Sequence, residues 1–229
     1  MPDPVRFDRL PLSRRLAVRA ARSAAKRATT QAMNRASARL SAAFLLGAVL
    51  FAPAHGADLR NPGSFASIAD PVERSRALFV EAGKVIEHPR CQNCHPVGDR
   101  PTQGADMHPH SPLVVRGADG KGAVGMRCTT CHQGANFEPS GVPGHPLWHV
   151  APASMAWQTR SLAQICEQIK DPSRNGGKTL AQIQEHMASD SLVGWGWHPG
   201  GTREPAPGTQ AQLGALIAAW IESGAACPR

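Results

Sequence analysis

Two copies of one pentapeptide constrain this chain more than any other feature: Cys91-Gln92-Asn93-Cys94-His95 and Cys128-Thr129-Thr130-Cys131-His132. Cys-x-x-Cys-His is the attachment signature of c-type haem. Two thiols at this spacing reach the two vinyl groups of one porphyrin, and the imidazole that follows turns under the ring to ligate iron. Each copy therefore specifies three bonds to one cofactor, and the chain as a whole is expected to carry two haem c groups. The covalent attachment residues are then Cys91, Cys94, Cys128 and Cys131, and the proximal iron ligands are His95 and His132.

Two other chemistries use paired cysteines. Two Cys-x-x-Cys units about 33 residues apart also approximate a four-thiolate zinc site. Zinc, however, gives no reason for a histidine directly after each second cysteine. A thioredoxin-like redox pair calls for one motif in a βαβ setting, and no such setting surrounds either copy. Haem attachment also requires export, and the N-terminus supplies an export pattern. Residues 40–52 form an apolar run preceded by Arg35 and Arg39 and followed by small residues at 54–57, the order of a signal peptide. At about 13 residues the run falls short of the ~20 needed to span a bilayer. Cleavage into the periplasm is therefore expected, with no stable membrane span afterwards; a retained, tilted membrane anchor is the alternative. Residues 1–57 are read as a basic extension plus signal peptide, with Met33 an alternative start, and residues 58–229 as a single dihaem domain.

The net charge of +8 belongs to the N-terminal segment. Residues 1–57 hold ten Lys and Arg against two acidic residues, whereas residues 58–229 hold fifteen of each. No basic excess survives in the mature segment, so nucleic acid is excluded as an expected partner. That segment has no tyrosine and many Gly and Pro residues. It is expected to build little conventional core and to wrap its apolar surface around two porphyrins. Cys166 and Cys227 remain as a pair in an oxidising compartment, and a disulfide between them is expected.

Helical periodicity is confined to the flanks. Asp70-Pro71 reads as an N-cap and first helical position, leading through Val72, Leu78, Phe79, Ala82, Val85 and Ile86 to a stop at His88-Pro89. Further starts lie at Ser161, Thr179 and Thr209; Thr209 with Gln212 makes a capping box, and Gly224 ends the last helix. Residues 96–127, with six glycines and four prolines, and residues 133–160 read as loops. The fold class is therefore mainly α, with small helices and long Gly/Pro-rich loops around two haems, and without a strong strand pair.

The sixth iron ligands must come from elsewhere in the chain. His110 and His149 are the leading candidates, with His108, Met155 and His186 as alternatives. In Met107-His108-Pro109-His110 the proline keeps the stretch extended, so the two histidines point to opposite sides. His149 follows a bulky aromatic and precedes a β-branched residue, where an imidazole needs a partner. His186 lies on the apolar face of the helix begun by Leu180, a position that core packing alone also explains. Thioether ligation raises a haem potential relative to a second imidazole, and histidines outnumber methionines in these segments. Ligation by two histidines is expected for at least one iron.

With these motifs the chain resembles the periplasmic c-type cytochromes, and the run Ala218-Ala219-Trp220-Ile221-Glu222-Ser223-Gly224-Ala225 is similar to their terminal helix. The stretch from Cys91 to Pro228 looks like short dihaem cytochromes associated with periplasmic molybdenum-hydroxylase-type dehydrogenases. The close spacing of the motifs departs from monohaem cytochrome c, so that family's single methionine ligand is not transferred. The resemblance implies an electron carrier between a dehydrogenase and a downstream cytochrome or oxidase. A dihaem peroxidase-type oxidoreductase is the alternative, with one open haem face, and a zinc-binding structural module the lesser one.

Overall fold

The computed structural model describes residues 58–229, so the expectations for the basic extension, the signal peptide and its 40–52 run lie outside the described residues. The described part is mainly helical. Helix α1 spans Pro71–Ile86, and Asp70 caps it as expected, its carboxylate accepting from the Val72 backbone N–H at 2.8 Å. Proline at position 89 pushes His88 into an extended conformation (ψ 144°), as the residue before a proline generally is. The chain restarts at once as the short helix α2, Pro89–Gln92, capped by the His88 ring, which accepts from the Arg90 N–H at 3.2 Å. The first motif therefore begins inside a capped helical turn packed against the end of α1.

Four further helices follow the loops: α3 Leu162–Lys170, α4 Leu180–Ser189, α5 Ser191–Gly194 and α6 Gln210–Glu222. All three starts expected at Ser161, Thr179 and Thr209 are capping boxes, with Gln164, Gln182 and Gln212 returning to the cap backbone. Helix α6 is the hub and packs against both α1 and α4. At the α4 crossing the backbones approach so closely that a Cβ on Gly214 would lie 2.5 Å from the Ala188 Cβ. Against α1, Trp220 is fully buried beside Phe79, ring centroids 4.8 Å apart. The Ser75 hydroxyl donates to the Trp220 carbonyl at 3.1 Å and accepts from the Ala226 N–H at 2.9 Å, which pins the C-terminal tail. Cys166 of α3 and Cys227 of that tail form the expected disulfide.

The core corrects one expectation. Phe65, Leu78, Phe79, Val85, Ile86, Ile165, Ile169, Leu216, Ile217 and Trp220 are all buried together, so the helical part makes a conventional core from its own side chains. The physical reason is concentration: the few aromatic and branched residues are gathered on the inward faces of α1, α3 and α6. Between residues 96 and 149 the only buried apolar side chains are those of Pro96 and Pro101.

That loop region contains two small antiparallel ladders the sequence did not reveal. Strand β1, Thr102–Gln103, pairs with β2, His108–Pro109; β3, Gly122–Ala123, pairs with β4, Met126–Arg127. Each strand is two residues long, too short to leave an alternation. Gly120 (φ +75°) is required by a close approach: a Cβ there would sit 2.5 Å from the Val150 carbonyl oxygen. The Val150 N–H donates to the Gly120 carbonyl at 3.0 Å, which joins the two long loops. Among the described residues no helix is long and apolar enough to cross a membrane.

Candidate cofactor cavities

Each pentapeptide lines its own cavity. Cys91, Cys94 and His95 line a cavity of about 220 Å³ whose other walls come from α1, α3, α4 and α6, with Ile86, Ile169, Ile183 and Leu213 as apolar contacts. Cys128, Cys131 and His132 line a second cavity, of about 410 Å³, within the loop region. The second volume falls within the roughly 300–1,000 Å³ of small-molecule sites and the first lies below it. All four motif cysteines are free thiols, unlike Cys166 and Cys227.

The two motif histidines are held in the same way. The Nδ1 of His95 lies 2.8 Å from the Met155 carbonyl oxygen, and the Nδ1 of His132 lies 2.7 Å from that of Pro143. A carbonyl oxygen only accepts, so Nδ1 carries the proton and Nε2 keeps its lone pair. Fixing one ring nitrogen in this manner orients the other as a metal ligand. Each ring also stacks on a tryptophan: His95 on Trp157 at 3.5 Å between centroids, and His132 on Trp148 at 4.5 Å. Burial holds His95 down at about 4 and lowers His132, so both are neutral at pH 7.

Cys91, Cys94 and Cys128 are not poised for redox exchange. Burial pushes Cys91 up to about 12 and Cys94 up to about 11, and it raises Cys128 as well. Reactive Cys-x-x-Cys pairs have lowered values. Nor do the four thiols gather: among the described residues no three His, Cys, Asp or Glu side chains meet as a metal-holding group. A four-thiolate zinc site therefore finds no support in this arrangement, whereas haem iron takes only two protein ligands.

The remaining sequence candidates divide between the cavities. His110 lines the second cavity, its ring centroid 5.9 Å from that of His132. Its Nδ1 is 3.0 Å from the Pro112 carbonyl, which again leaves Nε2 free. His149 repeats the pattern, with Nδ1 2.6 Å from the Leu147 carbonyl, and lines both cavities. His186 lines the first cavity, with Nδ1 3.4 Å from the Asp190 carboxylate. Met155 also lines it, but its carbonyl holds His95 from the side away from Nε2. His108 lines neither cavity, and both its nitrogens are engaged, by Asp106 at 2.7 Å and Gln103 at 3.1 Å.

Sequence reasoning missed the supporting residues. Trp157, Arg90 and the buried Arg116 carry no spacing signal. The Arg116 guanidinium donates to the Ala151, Pro96 and Gly98 carbonyls, so it ties the chain after the first motif to the chain after His149. No family profile, curated protein or solved structure matches this chain. Its chemistry is therefore argued from its residues.

Proposed function

We propose that the protein is an exported, periplasmic dihaem c-type cytochrome that carries electrons from a dehydrogenase to a downstream cytochrome or oxidase. The observation that carries this reading is the shared posture of His95 and His132. Each sits in a Cys-x-x-Cys-His unit at a cavity wall, with Nδ1 fixed by a backbone carbonyl and Nε2 uncommitted. Two free thiols and one oriented imidazole per cavity are the donors one haem c requires.

His110 is the proposed sixth ligand opposite His132. The two rings line one cavity with centroids 5.9 Å apart, and each keeps Nε2 uncommitted, so together they would hold the iron of a haem bound there. His149 is the proposed partner of His95, because it lines the same cavity and its Nδ1 is held by the Leu147 carbonyl, which leaves Nε2 free. His186 is second choice, since its Nδ1 is 3.4 Å from the half-buried Asp190 carboxylate, which is already engaged by the Leu192 and Val193 N–H groups.

Haem, when bound, supplies the ferric–ferrous couple. The chain's own part is to hold it. The carbonyls of Met155 and Pro143 keep the two proximal rings in one tautomer, the Trp157 and Trp148 stacks restrict their rotation, and the apolar lining of the first cavity excludes water. An available second histidine in each cavity favours a carrier over the peroxidase alternative, which needs an open iron face. EPR of the haem-loaded protein tests this. Two low-spin signals are expected, with His110→Ala and His149→Ala each converting a different one to high spin. A high-spin, cyanide-binding signal in the parent protein overturns the carrier reading.

A further inference from the structure

The two cavities share a wall. Arg90, Cys94, Trp148, His149 and Trp195 line both, and Arg90 is the one residue among them with a permanent charge. We propose that the Arg90 guanidinium is a common counter-charge for carboxylate groups of the cofactors in both cavities, and so sets their two reduction potentials together. This rests on the dihaem reading, since each haem carries two propionates.

Arg90 is positioned for this by the sequence immediately before the first motif. The His88 cap and Pro89 start α2, so Arg90 leaves the helix one residue ahead of Cys91. Its Nε donates to the Glu204 carbonyl at 2.9 Å, which fixes the plane of the guanidinium. That bond uses one of five N–H donors. No carboxylate lies within ion-pair distance of Arg90 among the described residues, in contrast to Arg127, which is paired with Asp119 at 2.6 Å. The neighbouring Arg203, itself 3.8 Å from the Glu138 carboxylate, stands beside it on the wall of the second cavity. The Glu204 carboxylate lies near Arg90 without pairing to it and only partly offsets its charge, so a half-buried cation facing two cavities is better satisfied when a further anion arrives. Planar forks suit carboxylates bidentately.

The sign of the effect follows from charge. Reduction adds an electron to each centre, and a nearby cation stabilises the reduced form. Removing it lowers both potentials.

The test is a spectroscopic redox titration of the full haem-loaded protein. Arg90→Gln is expected to lower both midpoint potentials, and Arg90→Lys, which keeps the charge, to leave both nearer the parent values. A shift in neither centre, or in only one, overturns the shared role. So does an equal shift in Arg90→Lys, which would mark a packing role instead. A parent protein that binds no haem is a separate failure, that of the underlying reading, and is visible before any variant is made.

Discussion

Removing the Cys166–Cys227 bond tests how the fold is held, because its effect has a size that the structure fixes. The bridge closes a loop of sequence separation 61, from α3 to the tail beyond α6. The loop-entropy relation for cross-links gives about 4 kcal/mol at 25 °C for such a loop. Cys166 is fully buried, so an alanine there adds a packing loss of the same sign. Cys166→Ala/Cys227→Ala should therefore lose about 4 kcal/mol or slightly more. With a urea slope of about 2 kcal/mol per molar for a small protein, the midpoint moves down by about 2 M. Urea titration followed by far-UV circular dichroism reads this directly. A midpoint within about 0.5 M of the parent refutes the reasoning and means the tail is held by its contacts with Ser75, Arg76 and Trp220 without need of the bridge.

Before the cofactor is attached, the polypeptide should weaken in acid through His95. Its folded value of about 4 lies below its ordinary 6.5. Below pH 6.5 the unfolded chain binds a proton that the folded chain refuses, so stability falls between about pH 6.5 and 4 and levels off beneath. The full effect is at most about 3 kcal/mol, and His95→Gln should flatten the slope in pH-dependent unfolding; an unchanged slope counts against it. At the α4–α6 crossing, Gly214→Val drives new atoms into Ala188 and should cost about 1–3 kcal/mol, seen as a lower melting temperature. An unchanged melting temperature would mean the helices separate freely.

The helices were legible because their signals are local. Asp70-Pro71, the three later caps and the spacing of Leu213, Leu216, Ile217 and Trp220 each dictate structure within a few residues. The Cys166–Cys227 pairing followed from compartment chemistry. The two ladders were not legible, since two-residue strands carry no period. The core was underestimated because composition averages over loops that contribute almost nothing to it. At the site, the pentapeptides announced themselves, and the pairing of His110 with His132 brings together residues whose spacing obeys no rule. Arg90, Trp157 and the carbonyls of Met155 and Pro143 had no signal at all, because a backbone acceptor or a stacking partner is defined only by tertiary approach.

In the proposed reading the four motif thiols are thioether anchors for two haems. Intact-mass spectrometry of the exported protein, before and after alkylation under denaturing but non-reducing conditions, tests it most directly. The expected mass exceeds that of the polypeptide by two haem groups, with no thiol alkylated. A polypeptide of unmodified mass that takes up four alkyl groups would contradict it.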